Sequence, residues 1–131
     1  MIVFDEQKYV KLENDCNELL SNNQVRFAGI VNKLGNLIAG GFKDGTNPFK
    51  TDEKCRMMYM QMALEISMRR EFDSSLGIVN YIASKRANAL IISIPIDENL
   101  LLISAVSSAS TDKIVDKALQ IFSKQRDEKN V

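Results

Sequence analysis

The chain has 131 residues, 45% apolar and 26% charged, enough for one domain with its own core and the ordinary mixture of a globular protein. Its 17 Lys and Arg balance 17 Asp and Glu, so no overall field steers it to nucleic acid or anionic lipid. It has no histidine, which removes Ser–His and Cys–His nucleophile pairs, an imidazole base near neutral pH and histidine-containing zinc sites.

Met1–Glu6 lacks the basic region and apolar run of a signal peptide. The longest apolar stretch, Ala89–Ile96, is strand-sized and well short of the ~20 residues a membrane span needs. Cys16 and Cys55 are isolated, with no CxxC spacing, and read as small buried hydrophobes in a reducing cytoplasm.

Asp5 is placed to cap a first helix, with Phe4 and Tyr9 as a hydrophobic staple. Tyr9, Leu12, Cys16 and Leu19 recur on one helical face, and Ser21-Asn22-Asn23 ends it through an Asn in the left-handed conformation. Gln24–Asn32 alternates as a strand, Asn32–Asn36 is a turn and Leu37–Phe42 a second strand, giving a β-hairpin. Small residues at Ala28, Gly29, Ala39, Gly40 and Gly41 imply that a backbone lies close over it. Gly41–Lys50 is a loop by composition. Thr51 caps a long helix with Asp52 and Glu53 at its positive end, running to Asp73 before Gly77.

Three strands follow, Ile78–Ser84, Ala89–Ile96 and Leu100–Val106, joined by short turns at Lys85–Asn88 and Asp97–Asn99. The middle one is apolar almost throughout, as for a strand covered on both faces. Pro95 belongs at a bulge or where pairing has ended. Ser110 caps a last helix with a buried stripe of Ile114, Val115, Ala118, Leu119, Ile121 and Phe122, and Gln125–Val131 is a charged, frayed tail. The pattern predicts a single α+β domain over residues 1–131, a five-stranded antiparallel sheet with three helices in the order α-β-β-α-β-β-β-α.

The long helix carries two apolar stripes. Cys55, Met58, Tyr59, Met62 and Ile66 form one, and Met57, Met60, Leu64 and Met68 lie nearly opposite. A helix on a monomer's surface needs only one. Two readings follow: a homodimer interface using adaptable methionines, with Met57, Met60, Leu64 and Met68 as the candidate face, or intramolecular cover by the first helix. Spacing does not decide which stripe meets the sheet.

Other motifs carry less. Lys43, Lys50, Lys54, Arg56, Arg69, Arg70, Lys85 and Arg86 are interspersed with acids and read as a solvated mixed surface, with Arg69 and Arg70 expected to pair with Glu71, Asp73 or a partner's carboxylates. Gly40–Thr46 lacks GxxxxGK[ST] and opens no βαβ unit. Ser107, Ser108 and Ser110 have no candidate base and suit turns and caps. No catalytic, metal or cofactor-binding residue is expected, and the chain reads as a non-enzyme.

The segment Gly29–Ala39, with Asn32 and Gly35 in the turn, resembles the first hairpin of the roadblock domain, a member of the profilin-like group that includes longin and PAS-type folds. That resemblance spans nearly the whole chain. Arg26–Gly29, Asn36–Phe42, Met68–Asp73 and Leu101–Ser104 are more specifically similar to an uncharacterised archaeal family with no assigned activity. The roadblock resemblance implies homodimers or heterodimers that serve as platforms, often for small GTPases. The Met-rich helix and the Gly40-Gly41 pair depart from typical roadblock sequences. The expected function is therefore a cytoplasmic, homodimeric interaction or regulatory domain with a protein partner, a small GTPase among the candidates. The alternative is a PAS-like sensor holding a small molecule between sheet and helix, which requires a cavity of roughly 300 Å³ or more.

Overall fold

The computed structural model describes residues 6–129, so Phe4 and Asp5, the expected staple and cap, lie outside the described residues. Helix α1 (Glu6–Leu20) buries Leu12, Cys16 and Leu19. Tyr9 is instead turned outward on that helix, its hydroxyl donating to Glu13 Oε1 at 3.2 Å. The helix exits through an Asn side chain rather than a left-handed residue. Asn22 Oδ1 accepts the Gln24 N–H at 2.9 Å, and Asp97 is the one positive-φ residue other than glycine among the described residues.

Strands β1 (Val25–Val31) and β2 (Leu37–Phe42) form the expected hairpin. Asn32 organises its turn, its Oδ1 accepting from the N–H groups of Leu34 and Asn36 at 3.0 Å each. Three further strands follow: β3 (Ile82–Lys85), β4 (Leu90–Ile96) and β5 (Asn99–Ala105). All pairings are antiparallel and the strand order is β2-β1-β5-β4-β3. Central β4 and β5 are apolar on both faces because both faces are covered. Leu90, Ile92, Ile94, Leu101 and Ile103 pack with α1 and the last helix, α4 (Thr111–Lys129). Ile91, Leu100 and Leu102 pack beneath the long helix α2 (Asp52–Arg69).

Strand β3 begins four residues later than the sequence pattern predicts, and Pro95 explains why. The Asp97-Glu98 turn pairs Ile96 with Asn99, so Pro95 opposite Leu100 is the next, non-hydrogen-bonded pair. The Pro95 nitrogen therefore faces β3. Continuing the Ile82–Ser93 register backwards would put Asn80 opposite Pro95, which has no N–H to give. Pairing stops there, as expected for a proline, and residues 77–81 leave the sheet with Ile78 exposed.

The small residues of the first hairpin serve two faces. Ala28 and Ala39 lie in the core that α1 covers, which is the close approach the sequence implied. On the opposite face the space above Gly29 is taken by Leu37 and Phe27 side chains. Gly41 pairs with Ala28, and nothing lies close to where its Cβ would be. Gly40 is the constrained position: its φ is +82°, and a Cβ there would run into the Ala28 carbonyl oxygen. Its N–H donates to Glu13 Oε1 at 3.0 Å, so α1 caps a polar group on edge strand β2.

Thr51 caps α2 as predicted, its side chain accepting the Lys54 N–H at 3.2 Å. The helix does not run unbroken to Asp73. It gives way at Arg69 to a 3₁₀ turn (Arg70–Phe72) and a one-turn helix α3 (Asp73–Leu76), ended by Gly77 at φ +84°. In α4, Ile114, Val115, Ala118, Ile121 and Phe122 are buried, but Leu119 faces outward. The α4 backbone stays helical to Lys129, through part of the segment read as a tail.

Gly40→Ala is expected to cost more than about 2 kcal/mol, since it adds a left-handed non-glycine residue to a steric conflict. Gly41→Ala is expected to stay within about 0.5 kcal/mol of the parent. Urea unfolding of the two variants measures the difference.

Candidate interaction surface on the central helix

The two stripes of α2 meet different surroundings. Cys55, Tyr59 and Ile66 are buried against the sheet, with Met58 and Met62 partly buried beside them. Tyr59 stacks on Phe27 at 5.7 Å between ring centroids, Phe42 meets Phe27 edge-on at 4.6 Å, and Phe49 meets Phe42 at 6.2 Å. These rings fill the space between helix and sheet. The opposite stripe is open: Met57 is 56% exposed, Met60 50%, Leu64 57% and Met68 73%. Helix α1 lies on the other face of the sheet and does not cover it.

The open surface extends past the four residues that helical spacing singled out. Phe72 and Leu76 continue the step of four from Met60, Leu64 and Met68, at 60% and 81% exposure. The signal was present in the spacing. It is obscured in the sequence by Arg69-Arg70-Glu71 and by a helix that changes geometry at Arg70. Leu34, in the β1–β2 turn, adds to the same region, because Gly35 beside it lies against α2. A Cβ on Gly35 would sit 2.8 Å from Met60 Cα. Exposed apolar side chains grouped in this way mark contact surfaces, whereas singly scattered ones are ordinary.

A cleft of about 140 Å³ borders this row. It lies between the α2 flank (Ala63, Ile66, Ser67, Arg70), the end of β1 with its turn (Val31, Asn32, Lys33) and the β4–β5 connection (Glu98, Asn99, Leu100). Its floor is apolar, through Val31, Ile66 and Leu100, and its rim carries Lys33, Arg70 and Glu98. The cleft is half the size a small-molecule pocket needs and lies at the helix flank, so no observation favours the sensor alternative.

Several charges are engaged locally. Arg69 pairs with Glu65 at 3.3 Å, one helical turn back, rather than with Glu71 or Asp73. Arg26 donates to the Asn88 carbonyl and Lys43 to the Asn22 carbonyl. Among the described residues no three His, Cys, Asp or Glu side chains converge as a metal site, and no helix is long and apolar enough to cross a membrane. Both cysteines are buried and free.

In fold the chain is similar to the roadblock/LC7 domain from Streptomyces avermitilis, with a TM-score of 0.71 at 12% identity, covering 92% of this chain and 98% of that one. It is similar to Myxococcus xanthus MglB, with a TM-score of 0.67 at 13% identity over 95% and 96% of the two chains. Schizosaccharomyces pombe profilin follows at a TM-score of 0.60 and 12% identity, over 86% and 94%. The fold is therefore roadblock-like and profilin-like. Residues 4–130 match the model of a family of unknown function, DUF6659, and the chain belongs to that family. No curated protein matches it significantly.

Two buried groups set an alkaline limit on stability. Burial, with Glu13 and Asp15 adding to it, pushes the Cys16 thiol from 9.0 up to about 12. Burial, then Cys55, pushes the Tyr59 phenol from 10.0 up to about 12. Both stay protonated in the fold while the unfolded chain ionises, so the unfolded state binds fewer protons and stability falls as pH rises. Unfolding free energy is expected to decline from pH 9 to 12 and to be insensitive to these groups below pH 8. Urea denaturation across that range checks it, and Cys16→Ala should flatten the early part of the decline.

Proposed function

We propose that this protein is a non-catalytic, homodimeric interaction module of the roadblock type, with Met57, Met60, Leu64 and Met68 on the face of α2 that meets the second copy. One observation carries this reading: α2 satisfies the sheet with one stripe and leaves a second, equally apolar stripe in water. Such exposure costs solubility unless a partner covers it, and methionine side chains adapt to a contact surface at low cost in strain. The dimer then acts as a platform for a further protein, and the roadblock resemblance makes a small GTPase the first class to test. The missing histidine and the filled space under α2 support a role in binding rather than turnover.

In sedimentation equilibrium the full chain is expected to behave as a dimer at micromolar concentration. Leu64→Glu is expected to weaken association about 30-fold or more, the size of an interface hot spot. Leu119→Glu, also on an exposed helical position but on α4, is expected to leave it unchanged. A wild-type mass of one chain at all concentrations up to millimolar would contradict the proposal.

A further inference from the structure

The cleft beside α2 and the residue that extends the apolar row suit each other. The half-open cleft, about 140 Å³, is the size of one side chain rather than of a small-molecule ligand. Its floor of Val31, Ile66 and Leu100 is apolar. Phe72 offers a ring of that size, 60% exposed on the 3₁₀ turn. Complementary charges flank both parts. Lys33 and Arg70 stand on the cleft rim, and among the described residues neither joins an ion pair. Glu71 precedes Phe72 and is exposed. Glu98 opposes them on the rim, which leaves the rim with one net positive charge.

Resting on the dimer reading above, we infer that Phe72 of each copy enters this cleft of the other, with Glu71 facing Lys33 and Arg70. Position along the row supports a second copy as the occupant. In a two-fold contact each residue meets its counterpart in reverse order. An axis near Met68 sets Phe72 of one copy beside Leu64 of the other, and Leu64 lies between the lip residues Ala63 and Ser67 in sequence. The two contacts are then made together, and the most exposed methionine of the row, Met68 at 73%, sits at the centre where burial is greatest. The cleft is too small for an ordinary small-molecule ligand, and a row of apolar side chains at its lip is suited to a protein surface.

Sedimentation equilibrium on the full chain tests the placement with two complementary variants. Phe72→Ala removes the ring, and Ser67→Trp fills the cleft from an exposed position. Each is expected to weaken self-association at least tenfold. An equimolar mixture should associate more tightly than either variant alone, because the mixed pair keeps one intact contact: the ring of the Ser67→Trp chain in the cleft of the Phe72→Ala chain. Glu71→Lys should weaken association, and adding Lys33→Glu should restore part of it. If Phe72→Ala dimerises like the wild type while Leu64→Glu does not, the dimer stands and this placement is wrong. If the mixture gains nothing over its components, the cleft belongs to another occupant. A monomeric wild type overturns both.

Discussion

A sheet whose central strands are apolar on both faces has to be covered twice. Strands β4 and β5 impose this condition, since Leu90, Ile92, Ile94, Leu101 and Ile103 point one way and Ile91, Leu100 and Leu102 the other. Two helices, α1 and α4, share the first face, and α2 alone takes the second. The division of labour determines the rest of the surface. Because α1 and α4 are committed to their own side, nothing else in the described chain is available to cover the outer stripe of α2. The unsatisfied apolar row is thus a consequence of the layer arrangement rather than of one helix's composition.

The second face combines aliphatic packing with a cluster of rings. Tyr59, Phe27, Phe42 and Phe49 form a connected cluster in which consecutive centroids lie 4.6–6.2 Å apart. Such pairs add to area burial through their edge-to-face and stacked geometry. They also occupy the space between sheet and helix where the sensor alternative places its ligand. The remaining cleft is displaced to the flank of α2, between two turns. Gly35 allows the β1–β2 turn to approach Met60 closely, which brings Lys33 and Leu34 to the edge of the exposed α2 face. Fold and site are coupled through that one glycine.

Much of the architecture was legible because the signals were local and redundant. Alternation in β1 and the apolar run of β4, the Thr51 and Ser110 caps, and the Asn32–Asn36 turn each fixed an element by its own chemistry. The failures have a shared cause in contacts between distant segments. Residues 78–81 have strand composition, but Pro95, on another strand, withholds the N–H they would need. Leu119 fits the helical stripe of α4 yet falls at its margin once the sheet's position is known. Arg69 finds Glu65 rather than the acids that follow it, since one helical turn is a closer neighbour than the next residues along the chain. The candidate site was half legible. Opposed stripes on α2 could be read from a period of 3.6, but which stripe met the sheet could not, because both are apolar. Phe72 shares that spacing but lies past Arg70, where the helix changes geometry, and the cleft depends on the approach of two loops.

The central claim is that the outer face of α2 is a contact between copies, and side-chain labelling on dilution tests it most directly. Hydroxyl-radical oxidation of the intact chain would be compared at submicromolar and at near-millimolar concentration, reading Met57, Met60, Leu64 and Met68 against Tyr9 and Leu119, which are exposed elsewhere. The account predicts that the four α2 residues become protected as concentration rises while Tyr9 and Leu119 do not change. Equal oxidation of the α2 face at both concentrations would contradict it.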